Sequence, residues 1–304
     1  MIKCICSPIV LLYHSLKIYL IPCLRYYIYK LVCCIYIFRT CFLFNDDEFN
    51  NIALGEIYEK EKNKIIWKRC YDNKQCTFIS NDIHPSDVVQ GNVGDCWLMS
   101  AIACLAEFHG PLHNLFDSNV MSVYGKYNVF LYNKILKKRQ KITIDDKIPC
   151  LKTTGKPLFA QCKDNEIWPL ILEKAFAKFI GDYSQLKGGS IAWALQTLTG
   201  DHVFKFSQID QQTWKKFNIV HINQVIHARS VSFFPTSEVH DEFSMFDILN
   251  EYKKQNSILA AYISSNNEWK KNNGLVVGHA YSILRIEEIG NFKLLQLRNP
   301  WGKF

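Results

Sequence analysis

Residues 90–109 read QGNVGDCWLMSAIACLAEFH. Gly91 and Gly94, with Pro85 upstream, mark a loop. From Asp95 to His109 there is neither glycine nor proline, and the run is apolar almost all round. That pattern predicts a buried central helix, ended by Gly110-Pro111. Cys96 then falls in the first turn, where unsatisfied N–H groups and the helix dipole favour a thiolate over a thiol. The two glycines let the loop backbone approach a ligand closely. Gln90, six residues before the thiol, carries an amide that can point back towards it. With the backbone N–H of Cys96 it would make a two-donor oxyanion hole. The plainer reading of a free cysteine is a core residue, and Cys104, on the same helix, fits it.

Working outward, Trp168–Ile180 (WPLILEKAFAKFI) predicts a second helix with Gly181 as its C-cap. A third starts after Gly188-Gly189-Ser190 and stops at Gly200. Tyr127–Tyr132 and Gln140–Ile144 read as short strands. Beyond residue 200 the strands Val203–Phe206, Ile258–Ile263, Gly278–Ile286 and Phe292–Arg298 dominate. The expected class is α+β: a helical first lobe over residues 46–200, a β-rich second lobe over 201–304, and a cleft between them.

The last two strands hold a second constellation. A five-residue turn from Glu287 to Asn291 would set His279 directly opposite Asn299 on one sheet face, about 5 Å apart at Cβ. A slip of one residue would separate them. Taken singly, His279 is an ordinary strand histidine and Asn299 a turn residue before Pro300. Taken with Cys96 they are the parts of a Cys-His-Asn protease site. His279 would take the thiol proton and later protonate the leaving amine. Asn299 would orient the ring, and Trp301 would shield their hydrogen bond.

Composition narrows the class. The chain has 304 residues, 48% of them hydrophobic, with a net charge of +8. Residues 1–45 hold Lys3, Lys17, Arg25, Lys30 and Arg39 and no acid, so the body carries only +3. That excludes a basic nucleic-acid-binding domain, and no Lys/Arg stripe is interleaved with aromatics. The leader 1–45 is apolar but broken by cations, too short in any uninterrupted stretch to span a bilayer. A membrane-surface segment, an ill-fitting signal sequence and a non-native start all stay open for it. The twelve cysteines make neither a zinc pattern nor a compact disulfide framework, so reduced thiols and a cytoplasmic setting are expected.

Three blocks together, QGNVGDCWLMSAIACLAE, WPLILEKAFAKFIGDYSQLKGGS and GLVVGHAYSIL…LLQLRNPWG, resemble the protease core of the calpains, in the family's order and over roughly residues 50–304. The resemblance implies a papain-like two-lobe fold and a calcium-dependent intracellular cysteine endopeptidase acting on protein substrates. It implies Cys96 as nucleophile, His279 as general base, Asn299 as orienting amide, Gln90 as oxyanion donor and Trp301 as shield. It further implies activating calcium, held in the first lobe by Asp87 and Glu166 with backbone carbonyls near Ser80 and Asp82. On sequence alone these two are ordinary surface acids. The chain stops at Phe304, two residues after NPWG. An incomplete second lobe is therefore expected, and with it a rival reading: a catalytically silent calpain-like binding or regulatory protein, or an inactive fragment. A thiol acyltransferase on a similar fold is disfavoured by the surrounding blocks.

Overall fold

A computed structural model describes residues 24–31, 42–56, 61–70, 76–91, 94–161, 163–221, 231–263 and 274–299. The chain divides into two compact units, Met1–Phe44 and Asn45–Phe304. In the first, residues 24–31 are helical and exposed. Among the described residues no helix is long and apolar enough to cross a membrane.

The second unit mixes helices with several small antiparallel sheets. It opens with α1 (Asp47–Ile52) and β1 (Ile65–Arg69), then α2 (Cys96–Leu105). A hairpin of β2 (Lys126–Asn133) and β3 (Lys138–Asp145) follows, then β4 (Lys147–Leu151), which pairs with β1. Two helices come next, α3 (Trp168–Ile180) and α4 (Ile191–Thr199). The remainder is β5 (Phe204–Gln208), β6 (Thr213–His221), β7 (Val231–Asp241), α5 (Glu242–Lys254), β8 (Ala260–Ile263), β9 (His279–Ile289) and β10 (Phe292–Arg298). Two three-stranded sheets result, in the orders β5-β6-β7 and β10-β9-β8.

Local chemistry explains the helix limits. Pro169 sits in the first turn of α3, where a missing N–H costs nothing, and Gly181 closes it at φ 125°. Gly200 ends α4 in the left-handed region at φ 84°. Every residue of α2 except Cys96 is buried, as expected of a helix apolar on all sides. Its Trp97 locks the helices together. The indole lies 5.8 Å from the Phe176 ring of α3 and 5.7 Å from Trp193 of α4, and its N–H donates to the Leu186 carbonyl at 2.9 Å.

The stretch after Asn45 is acidic. It folds into α1, with Phe49 and Asp46 buried. The second half also holds a helix, α5, and a long β6–β7 pair absent from the sequence reading.

Candidate active site

Cys96 is the first residue of α2, half-buried, with Asp95 as N-cap. The Asp95 carbonyl accepts from the N–H groups of Leu98 and Met99 at 2.8 and 3.0 Å. Backbone N–H groups of Trp97, Ala280 and Cys96 itself bear on the thiol. Ala280 follows His279 on β9, so the thiol sits one residue along the backbone from the imidazole. One turn further along α2, the buried Ser100 hydroxyl donates to the Ala280 carbonyl at 3.0 Å. Another turn on, the Cys104 thiol reaches the Leu259 carbonyl at 3.6 Å. One face of α2 is thus stitched through Ser100 to the strand that carries His279 and through Cys104 to the residue before its neighbour β8. Past the helix end, Glu107 pairs with Arg298, the residue before Asn299.

His279 is 2% exposed, and its Nε2 lies 2.9 Å from Asn299 Oδ1. A carboxamide oxygen only accepts, so Nε2 carries the proton and Nδ1 keeps its lone pair. The two meet by a different register from the one expected. The turn is the tight Gly290-Asn291 pair, with Ile289 opposite Phe292, and a bulge follows Gln296. Arg298 pairs with Ser282, which puts Asn299 diagonal to His279 rather than opposite it. His279 itself pairs with Ile263 of β8. Glu287 and Glu288, read as turn, belong to β9 because its outer half is solvated.

The thiol departs from the helix-end expectation. Burial and the adjacent Asp95 charge push it above its ordinary value, outweighing the N–H groups. Burial lowers His279 despite Asn299. Both shifts favour a neutral thiol beside a neutral imidazole. Cys104, by contrast, is wholly enclosed and pushed up to about 12, so it is an inert core thiol.

Two loops flank Cys96. The Gln90 side chain faces Asp95. Gly91 packs so tightly that a Cβ there would stand 1.6 Å from the Phe159 carbonyl oxygen. Gly91→Ala is therefore expected to cost about 1–3 kcal/mol in urea denaturation. An unchanged midpoint would contradict the packing. On the other side the Gly188 N–H donates to the Gly94 carbonyl at 3.2 Å, and Gly189 lies flat against Trp97. Trp301 lies outside the described residues.

Asp87 and Glu166 do come together. Thr77 bridges Glu166, and Ile167 N–H donates to the Thr77 carbonyl at 3.0 Å. This brings Ser80 to Glu166, whose Oε1 accepts its N–H at 2.8 Å and its hydroxyl, while Oε2 accepts from Trp168 Nε1 at 3.1 Å. Asp87 Oδ2 accepts from His84 N–H at 2.7 Å. Burial first, then the Glu166 charge, raises Asp87. Both acids are buried, so neither is the surface carboxylate that sequence alone suggests. Nearby, the Asp82 carboxyl is spent on His113 and His109, at 2.9 and 3.0 Å, chiefly the former holding it down at about 2. The two repelling carboxylates are hard oxygen donors of the kind calcium takes, with Glu166 already held by Ser80 and Trp168 and Asp87 by the His84 N–H.

Sequence reasoning left Ser100, Asp95 and Glu173 without a role. Ser100, a lone polar residue in an apolar helical run, carried a local signal; Asp95 and Glu173 carried none.

A family model described as calpain family cysteine protease matches residues 44–304. The chain belongs to the calpain family. It is 32% identical to "Calpain-type cysteine protease ADL1" of Oryza sativa subsp. japonica over 268 residues, covering 86% of this chain and 11% of that protein. It is 31% identical to "Calpain-type cysteine protease DEK1" of Arabidopsis thaliana, covering 78% and 10%. Against "Calpain-9" of Homo sapiens the identity is 28%, covering 86% and 35%. The chain thus spans about a tenth of the length of the plant relatives and about a third of Calpain-9.

Proposed function

We propose that residues 46–304 are the papain-like, two-lobe catalytic core of a calcium-dependent cysteine endopeptidase that cuts proteins in the cytoplasm. The observation that carries this is the 2.9 Å His279–Asn299 hydrogen bond on a strand whose next residue, Ala280, turns its backbone N–H to the Cys96 sulfur. An extended peptide would lie between the 46–200 and 201–304 lobes. His279 Nδ1 takes the proton of Cys96 as Sγ attacks the scissile carbonyl carbon. The oxyanion is held by the Cys96 N–H and the Gln90 amide. The imidazolium returns its proton to the departing amine, leaving an acyl-enzyme. Water, deprotonated by His279, then hydrolyses it. Asn299 keeps the ring in the Nε2–H tautomer throughout, and Trp301 shields that bond. Calcium, held by Asp87 and Glu166, would supply charge that quiets their repulsion and fixes the loop just upstream of Gln90.

The pH response follows from the cited directions. Protonated His279 cannot act as base, and burial lowers its pKa from an ordinary 6.5. The acid limb of kcat/KM is therefore expected below pH 6.5. A limb centred above that value would contradict the assignment.

The deciding experiment is covalent labelling. The purified chain is treated with a peptidyl epoxide, with calcium or with chelator, and the adduct is mapped by mass spectrometry alongside casein cleavage. Modification confined to Cys96 and dependent on calcium is expected. Neither labelling nor cleavage in calcium would leave the silent binding-protein reading in its place.

A further inference from the structure

Beneath the thiol lie acidic groups that none of these steps uses. Asp95, directly before Cys96, is 0% exposed, and neither of its carboxyl oxygens has a partner in good hydrogen-bond geometry. The side chains that face it are the Glu173 carboxyl and the Gln90 amide. Glu173 is 2% exposed on α3, and its two oxygens take the Ala160 N–H at 3.0 and 3.1 Å. Tyr183, whose buried hydroxyl has no partner in good geometry, lies within electrostatic reach of both acids, and of Cys70 and Asp145. Lys174, next to Glu173 in sequence, turns to Asp145 instead, with its Nζ 2.5 Å from Oδ1.

Two carboxyl groups in one dry site cannot both ionise, because each charge lacks water and repels the other. One proton stays between them. Burial and the Asp95 charge push Glu173 far above the usual carboxylate range, while Asp95 is raised to about 6. With one proton shared by the pair, Glu173 can donate and Asp95 accept. A carboxylate has lone pairs to spare for a second donor, and a primary amide has two N–H groups. Asp95 can hold one N–H of Gln90 while the other serves a substrate oxygen. The loop gives a second path: the Phe159 carbonyl abuts Gly91, Gln161 N–H donates to the Val89 carbonyl at 3.0 Å, and Ala160 between them is held by Glu173.

We infer that Asp95 and Glu173 form a proton-sharing carboxyl pair that positions the Gln90 amide and sets the charge beneath Cys96. Both are then positioning residues for the proposed reaction, and the inference rests on that reading of Cys96 and Gln90. The pair fixes the donor before substrate arrives, so the oxyanion meets an amide already aimed. Its charge also holds the thiol protonated until His279 takes the proton.

Three variants test this in the full chain: Asp95→Asn, Glu173→Gln and Glu173→Leu. The first readout is iodoacetamide alkylation of Cys96 against pH, followed by mass spectrometry, which needs no proteolytic activity. Asp95→Asn keeps the shape and removes the charge. Alkylation at neutral pH should rise by roughly threefold or more, the gain in thiolate that half a pH unit brings. A side chain that merely fills space would leave the profile in place, and an unmoved profile overturns the inference. The second readout is peptide cleavage. Glu173→Gln retains a donor for Asp95 and an oxygen for Ala160, so kcat should stay within a few-fold of the parent. Glu173→Leu supplies neither, and kcat should fall by about 10²-fold at near-constant KM, as for a misplaced oxyanion donor. Equal losses in the two Glu173 variants, with native circular dichroism, also overturn it. Absence of cleavage by the parent chain sinks the protease reading alone, and the alkylation profiles then decide the pair.

Discussion

Replacing Cys96 with serine is expected to lower kcat/KM for a peptide substrate by roughly 10⁴- to 10⁶-fold. The fold should be untouched, because Oγ replaces Sγ at a half-buried helix start whose neighbours are backbone N–H groups. What is lost is the nucleophile. A thiol raised somewhat above its ordinary value still yields thiolate to a nearby imidazole, whereas a serine hydroxyl in the same place resists deprotonation far more strongly. Cys104→Ser is the control. That thiol is buried on the same helix, pushed up to about 12 and turned to the Leu259 carbonyl. Its replacement should cost on the order of 1 kcal/mol of stability and leave kcat/KM within a few-fold. Steady-state kinetics beside thermal melting of both variants decides the matter. Comparable activity losses at the two positions would mean that Cys96 acts through packing.

The parts of this site differ in how far they could be read from the chain. Helix α3 was legible to the residue because Trp168-Pro169 and Gly181 punctuate it at both ends. Strand β10 was equally legible, being a Leu-rich run between the Gly290-Asn291 turn and Pro300. The β9–β10 register was not. Glu287 and Glu288 look like turn residues until it is known that the outer half of β9 faces solvent on both sides. Helix α5 was hidden by its low hydrophobicity, although Asp241 and Ser244 supply a capping box: Ser244 N–H donates to Asp241 Oδ1 at 2.8 Å. The β6–β7 pair was masked by Lys215, Lys216, Pro235 and Glu238 inside its strands. The candidate residues Cys96, His279 and Asn299 stood out because thiol, imidazole and amide each sit beside turn glycines or a proline. Asp95 and Glu173 did not, because their meaning depends on a partner far away in sequence. No local pattern tells a buried acid in an apolar helix from a solvated one.

The same limit applies to the ion pair beneath α3, which supports the second large expectation. Lys174 and Asp145 are both 0% exposed, with Nζ 2.5 Å from Oδ1. Lys174 also donates to Asn50 Oδ1 at 3.0 Å and to the Lys147 carbonyl at 2.7 Å. Asp145 Oδ2 accepts from Asp46 N–H and Asn50 Nδ2 at 2.9 and 2.7 Å, and Oδ1 from Lys147 N–H at 3.0 Å. Burial acts to raise Asp145, but Lys174 and these donors outweigh it and its carboxyl titrates below the ordinary value of 3.8. Burial lowers Lys174 from 10.5 even with Asp145 beside it, so the lysine carries a desolvation cost that its partner does not fully repay. Such a pair adds little net stability while whole and becomes costly when halved. Asp145→Ala strands a buried cation and three donors, and is expected to cost about 3–5 kcal/mol. Lys174→Met should cost less, because Asp145 keeps its three N–H partners and the Trp67 ring, 5.2 Å from Nζ, accepts a thioether. Urea denaturation in a Cys96→Ser background measures both without self-cleavage. The acid limb has a fixed sign. Asp145 has a depressed folded pKa, so its contribution is present above pH 3.8 and is lost as pH falls through the folded value. Equal losses for the two substitutions, or a larger one for Lys174→Met, would mean that the carboxylate does not hold this charge in the core.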